Sequence, residues 1–453
     1  MGCAILHAFN WSFNEIKNRL AEIKDSGYKA VLVSPINYSH GTEWYKRYQP
    51  LDLRVIHSPL GGKKELIDLL NSADSDQYQI DIIVDVVINH MAHREIINGY
   101  ENLNFPGFNE LEKYKNHRGF QDDRLYGDLN FNQFSEFDFN PRQIIKNHGN
   151  LEEVRNNRLC DDRVPNGLPD LEINDWVIDQ QKQFLKALVE LGVKGFRVDA
   201  VKHVPIQHLT AITNDPILRD MFYFAEVIPE PQRRVINDVL MCTSMSLYDF
   251  PLFYQIRYSF SYIGDDGRFY WGNSFRNLEN YEKNKKISEF RSVSFVNTHD
   301  IPNNQGMRRQ LFLSMEDELL AYTYILGRDG SSPLIFTDKG DNQNDVFSNG
   351  NKWKDLYKNP DIAKMLQFHN KAHGSPMSFR YVTDGVIVVE RNYIGFFVIN
   401  KTAYTETYSI SFATLSGKYK DLFTGNSITI SDNNHVLSVP PRSKMMFLFD
   451  TGD

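Results

Sequence analysis

The sequence predicts an α/β fold: a closed (β/α)8 TIM barrel with a subdomain inserted after its third strand and a C-terminal antiparallel β-sandwich domain. Three observations carry it. Eight short apolar runs alternate with amphipathic stretches through most of the chain. One long segment among them has no period, and near the end the pattern turns to period two. Near-continuous apolar strands need cover on both faces, which a parallel sheet with helices between its strands provides, and a closed barrel is the simplest such arrangement.

The first run is Cys3-Ala-Ile-Leu-His-Ala-Phe-Asn10. A helix is expected from Ser12 to Gly27, with Ile16, Leu20 and Ile23 on one face, Ser12 and Glu15 as a capping box, and Gly27 as its stop. Ala30 to Pro35 is the second strand, and Gln79 to His90 holds the third, IDIIVDVVINH. A helix from Asp175 to Leu191 leads into the fourth, Gly195 to Val201. Tyr223–Ile228, Ser244–Asp249, Ser292–Asp300 and Pro333–Thr337 complete the set. Met91 to Pro169, rich in Asn, Asp, Gly and aromatics, is too long for a connection between a strand and its helix. The expected division is therefore 1–90 and 170–375 for the barrel, 91–169 for the insertion and 376–453 for the β domain. In the last, Val386–Glu390 and Gly395–Asn400 open a series of short strands reaching Phe449.

The chain has 453 residues, more than one ordinary core holds. A net charge of −8 without runs of Lys or Arg argues against a nucleic-acid partner. Aromatics make up 13%, and exposed rings can serve as flat apolar platforms for sugars. The three cysteines, Cys3, Cys160 and Cys242, show no paired spacing and read as buried thiols. No stretch reaches the ~18 apolar residues of a membrane span. No basic head precedes an apolar run at the start. The expectation is a cytoplasmic monomer with no membrane partner, or a secreted one whose leader was removed before numbering.

In such a barrel the catalytic groups come from the carboxyl ends of the strands. The third strand ends with Asp85, Asn89 and His90. The fourth carries Arg197 and Asp199, followed by Lys202 and His203. The fifth ends in Glu226 and the seventh in His299-Asp300. A charge inside an apolar strand is costly unless it is paired or functional. Asp85 alone reads equally well as a structural ion-pair partner; four strands ending this way point to a site.

Five short motifs resemble those of glycoside hydrolase family 13, the α-amylase family. They are DVVINH (Asp85–His90), LPDLE (Leu168–Glu172), GFRVDAVKH (Gly195–His203), EVI (Glu226–Ile228) and FVNTHD (Phe295–Asp300). They stand in the family's order over nearly the whole chain. The resemblance implies an enzyme that cleaves internal α-1,4-glucosidic bonds of starch, glycogen or maltooligosaccharides with retention. Asp199 would be the nucleophile, Glu226 the general acid/base, and Asp300 would bind the hydroxyls of the distorted sugar. Arg197, two residues before Asp199, would keep that carboxylate ionised, and a more enclosed Glu226 would keep its proton. His90 and His299 would donate to the same sugar. EWYKRYQP (Glu43–Pro50) resembles a segment of the chloride-activated branch, with Tyr48 under the cleaved sugar and Trp44, Tyr45 and Gln49 at neighbouring positions. Lys202 and His203 would reach the leaving-group side. Calcium is implied, on Asn89, Asp170, the His203 carbonyl and a fourth ligand near Cys160–Asp162, taken as Asp161. Chloride stays open: Arg197 is present, Thr298 stands where Asn is common, and Lys339 is the candidate third member. A transglycosylase or exo-acting α-glucosidase of the family would share every catalytic residue. A non-catalytic glucan-binding protein of this fold would be expected to lack the nucleophile or the acid, and both are present.

Overall fold

The computed structural model describes residues 2–161, 163–228, 233–260, 262–263, 269–270, 272–285, 287–303, 315–339, 353–431 and 435–450. Eight strands form one sheet: β1 (Ile5–Phe9), β2 (Ala30–Val33), β3 (Asp81–Val86), β4 (Gly195–Val198), β5 (Phe222–Ala225), β6 (Ser246–Tyr248), β7 (Ser292–Val293) and β8 (Leu334–Asp338). Their sheet order is β7-β6-β5-β4-β3-β2-β1-β8, the order of the chain with β8 beside β1. Just past β7, Phe295 bridges in parallel to Leu334 of β8, which joins the ends of that row into a ring. The described residues of every strand are buried except the first residues of β3 and β5, as expected of a parallel sheet covered on both faces.

The chain divides into two compact units, one of Asn10–Ala21 and Val31–Tyr248, the other of Met1–Phe9, Glu22–Ala30 and Asp249–Asp453. In the first, β3, β4, β5 and β6 pair in parallel. Helix Asp175–Leu191 has the bounds the sequence predicts. The Asn174 side chain accepts the Val177 N–H at its start, and Gly192 ends it in the left-handed region, φ +110. Between β3 and that helix, residues 91–169 hold short helices (Phe108–Asn116, Arg118–Asp122, Leu151–Asn156) and a two-stranded hairpin, Ile96–Ile97 with Tyr100–Glu101.

In the second unit, β1 pairs in parallel with β8. Past β8 the chain forms β9 (Met377–Val382), β10 (Val386–Arg391), β11 (Gly395–Asn400), β12 (Glu406–Ile410), β13 (Gly417–Asp421), β14 (Ser427–Ile430), β15 (His435–Val439) and β16 (Ser443–Phe449). Six of them form an antiparallel sheet in the order β9-β10-β11-β16-β13-β14, and β12 and β15 form a second one. Val386, Phe396 and Phe447 from the first pack with Ile410, Leu437 and Val439 from the second in one core, a β-sandwich.

Two expectations need correction. The predicted helix from Ser12 to Gly27 is two short helices, Phe13–Asn18 and Leu20–Asp25. The capping box is present, but Arg19 leaves helical geometry at φ −111, ψ 8; Ile16, Leu20 and Ile23 are each still buried. The cysteines are not buried thiols. Cys3 and Cys160 are partly exposed and Cys242 is exposed, at the end of helix Arg233–Cys242. Among the described residues no helix is long and apolar enough to cross a membrane.

Candidate active site

Register places the first charges. Arg197 on β4 lies directly opposite Asp85 on β3, so both side chains leave the same face. Asp199 follows two residues on, with its N–H on the Val86 carbonyl, and the Glu226 N–H bonds the Val198 carbonyl. Strands β4 and β5 pack tightly here: a Cβ on Gly195 would sit 2.8 Å from the Phe222 carbonyl oxygen. Between Asp199 and Lys202 the chain turns through Ala200 in the left-handed region, φ +50, an uncommon conformation for a residue with a Cβ. That turn presents the Ala200 N–H to Glu226 Oε2 at 3.2 Å.

Arg197 is the hub. Its Nη1 donates to Asp85 Oδ1 and Oδ2 at 2.9 and 3.0 Å and to Asp199 Oδ1 at 2.7 Å. Its Nη2 lies 2.7 Å from Glu226 Oε1. One buried guanidinium therefore faces three carboxyl groups, and if all three were ionised the cluster would carry two uncompensated negative charges. Burial pushes the Asp85 carboxyl up to about 8, against the pull of Arg197 and of the Tyr48 hydroxyl. Burial also raises Asp199; Arg197 pulls against this and Glu226 adds to it. Burial works against the Arg197 charge, but Asp85, Glu226 and Asp199 together hold it well above its ordinary value. The expected contrast between an ionised Asp199 and a more enclosed Glu226 is not what burial gives. Each residue is 8% exposed, and the same cation touches both. Burial therefore favours protons within the cluster, and Asp85 is the one group of the three with no exposure.

The aromatic segment meets the cluster at Tyr48, whose hydroxyl donates to Asp85 Oδ2 at 2.8 Å and whose ring centre lies 5.8 Å from the Arg197 guanidinium carbon. Trp44 packs edge-on to both Tyr45 and Tyr48. Gln49 is buried, with Oε1 accepting the His93 N–H at 3.4 Å. His90 is buried and donates Nε2–H to the Tyr48 carbonyl at 2.9 Å, so it seats Tyr48 and that N–H is already committed. Burial keeps its ring neutral at pH 7 by lowering its pKa, against the opposite pull of Asp199.

The expected cation ligands fall partly together. Leu171 N–H bonds the Asn89 carbonyl and Met91 N–H the Pro169 carbonyl, which sets Asn89 beside Asp170. Asn89 donates to Asp170 Oδ1 at 2.9 Å, and Asn140 donates to Oδ2 at 2.7 Å. His203 is buried with Nδ1–H on the Val154 carbonyl, and burial lowers its pKa to about 3. Asp161 is engaged elsewhere, on an exposed turn paired with Arg163; Asp162 lies outside the described residues. Among the described residues no group of three or more His, Cys, Asp and Glu stands ready for a metal, so a cation here would rely on amide and carbonyl oxygens around one carboxylate. Lys202 is partly exposed beside His203.

His299 and Asp300 belong to the other unit. His299 is buried, stacks on Phe9 at 4.8 Å and holds Nε2 3.4 Å from Asp300 Oδ2. Thr298 is buried and Lys339 is partly exposed just past β8.

Residues 12–238 match the model of the alpha amylase catalytic domain. The alpha-amylase of Aeromonas hydrophila is 37% identical over 435 residues, spanning 94% of this chain and 90% of that protein. The chain belongs to the alpha-amylase family. Alpha-amylase I from Eisenia fetida matches with TM-score 0.76 at 21% identity, covering 99% of this chain and 97% of that one. The Anoxybacillus alpha-amylase matches with TM-score 0.74 at 18% identity over 100% and 99%. These two likenesses show the fold.

In this family member two residues stand at the site without a sequence signal. Asn140 sits in the stretch without period, and only its bond to Asp170 reveals it. Arg163 lies in the same stretch, with its guanidinium over the Tyr45 ring at 5.0 Å.

Proposed function

We propose that the chain is an α-amylase that hydrolyses internal α-1,4-glucosidic bonds by double displacement, with Asp199 as nucleophile and Glu226 as acid/base. One observation supports this above the rest: Asp199 and Glu226 each lie 2.7 Å from an arm of a single guanidinium. A retaining pair works at ~5–5.5 Å, and the shared guanidinium keeps both carboxyls at one site. Glu226 protonates the departing glycosidic oxygen while Asp199 attacks the anomeric carbon. The leaving glucan departs with that proton, and the glucosyl ester on Asp199 is then opened by a water that gives its proton to Glu226. Arg197 stabilises the carboxylate regenerated on Asp199. Asp85, when protonated, leaves Arg197 to Asp199, and Glu226 holds a second proton for the departing oxygen. Tyr48, fixed by Asp85 and His90, offers its ring to the sugar at the scissile position. Trp44, Tyr45 and Gln49 line neighbouring positions.

A hard divalent cation, calcium, fits the group around Asp170. A buried carboxylate held by two neutral amides rises to about 7 through burial, and a cation there would restore its charge. Asn89 and Asn140 oxygens, Asp170 and the His203 carbonyl would hold it, tying residues 89–91 to 169–171. For chloride, the supporting observation is the buried Nε–H of Arg197, which has no hydrogen-bond partner among the described residues.

The test is product analysis with soluble starch and an end-blocked maltooligosaccharide. Internal cleavage with a rapid fall in iodine staining is expected. Release of single glucose units from one end, or chains longer than the input, would replace this reading with an exo-acting or transferring one.

A further inference from the structure

Asp161, expected among the cation ligands, belongs to a different arrangement. The loop 159–168 closes at its neck, where the Leu168 N–H bonds the Leu159 carbonyl at 2.9 Å. Gly167, at φ +74, packs there so closely that a Cβ would overlap the Arg158 side chain at 2.5 Å. At the tip, Asp161 Oδ1 accepts the N–H groups of Arg163 and Val164, and Oδ2 accepts Arg163 Nε at 2.9 Å and also pairs with its Nη2. The carboxylate thus orients the guanidinium, which lies 5.0 Å from the centre of the Tyr45 ring. The Lys46 ammonium lies 5.6 Å from the same ring. Tyr45 continues edge-to-face through Trp44 to Tyr48, whose hydroxyl is on Asp85. A row of rings therefore runs from the acid cluster outward and ends under a cation held by the inserted segment.

We propose that Arg163 is a specificity-determining residue. With Tyr45 it forms an outer subsite for a glucose unit remote from the bond that breaks. The inference rests on the α-amylase reading. Its chemistry is that of an uncharged polyol: a flat ring for the apolar face of the sugar and guanidinium N–H donors for its hydroxyls. Both Arg163 and Asp161 side chains are over two-fifths exposed, so the pair is within reach of a ligand. The Asp161 pairing uses Nε and Nη2 and leaves Nη1 without a protein partner among the described residues. A short substrate that fills only the positions around Asp199 and Glu226 does not reach this subsite, and a longer one does.

The experiment compares maltotriose with maltoheptaose for the wild type, Arg163→Ala, Arg163→Lys, Tyr45→Phe, Tyr45→Ala and the double variant Arg163→Ala/Tyr45→Ala. In Arg163→Ala the ratio of kcat/KM for maltoheptaose to that for maltotriose falls about five- to tenfold, through KM, the scale of one hydrogen bond to the sugar. Arg163→Lys recovers part of the loss, because it keeps the charge and loses the planar fork. Tyr45→Phe keeps the ring face and holds the wild-type ratio. The double variant is no worse than Tyr45→Ala alone. A ratio unchanged in Arg163→Ala, a Tyr45→Phe loss as large as Tyr45→Ala, or losses that simply add would each overturn the inference while an active wild type leaves the functional reading standing. A wild type inert on every α-glucan would overturn both.

Discussion

Replacing Asp85 with Asn tests the charge state of the cluster without touching the two acids that act on the sugar. Asp85 has no exposure, and its carboxyl titrates at about 8 in the folded chain, against ~3.9 when unfolded. Between those values the folded protein holds a proton that the unfolded chain has released. Stability must then fall as pH rises, by ~1.4 kcal/mol per pH unit and ~5 kcal/mol across the window. The contribution is fully present below about pH 4 and gone above pH 8. An amide cannot ionise, so Asp85→Asn is free of this loss. With an unfolding entropy of ~2.1 cal/mol/K per residue, 453 residues convert 1 kcal/mol into ~1 °C of Tm. The assay is thermal unfolding of both proteins at pH 4.5, 5.5, 6.5 and 7.5. The Tm of Asp85→Asn minus that of the wild type should climb by ~1–1.5 °C per pH unit; titrating groups outside the cluster cancel in the difference. A difference that stays flat would show Asp85 ionised throughout and refute this reasoning.

Further predictions follow from the same contacts. Asp199→Asn and Glu226→Gln each lower kcat on starch by on the order of 10⁴-fold or more while leaving the circular dichroism spectrum unchanged, since each removes a reacting group and keeps its volume. Tyr48→Phe retains the ring and loses the bond to Asp85, so it lowers Tm by ~1–2 °C with little change in KM, whereas Tyr48→Ala raises KM about tenfold or more on maltooligosaccharides. Chelator lowers the wild-type Tm by several degrees, calcium restores it, and Asp170→Asn abolishes the calcium response; an equal response in Asp170→Asn would remove that cluster from consideration.

Where sequence and structure agree, local chemistry decides. Asn174 and Gly192 mark the ends of a helix whose bounds are read correctly from caps alone. Apolar runs ending in Asp85, Arg197-x-Asp199 and Glu226 place the acid cluster because adjacent parallel strands bring their carboxyl ends together whatever the connections do. What was not legible depends on pairs distant in sequence. Nothing in period or spacing joins Asn140 to Asp170 or Arg163 to Tyr45, since residues 91–169 have neither helical nor strand rhythm. Asp161 is the ligand the resemblance implies from the segment around Cys160–Asp162, and its pairing with Arg163 two residues on competes with that role. The break at Arg19 is invisible because Ile16, Leu20 and Ile23 keep helical spacing in the sequence and each is buried all the same. The difference in enclosure expected between Asp199 and Glu226 fails because burial is a property of the assembled strand ends, where both are nearly equal.

Trapping the glycosyl-enzyme addresses the nucleophile itself. A maltosyl fluoride deactivated by fluorine on the ring, incubated with the protein and digested, should leave its sugar on the peptide spanning Gly195–His203, esterified to Asp199. Hydrolysis of maltopentaose should in parallel release the α-anomer first. Label on any other carboxyl, or a β-anomer as the first product, would contradict the double displacement.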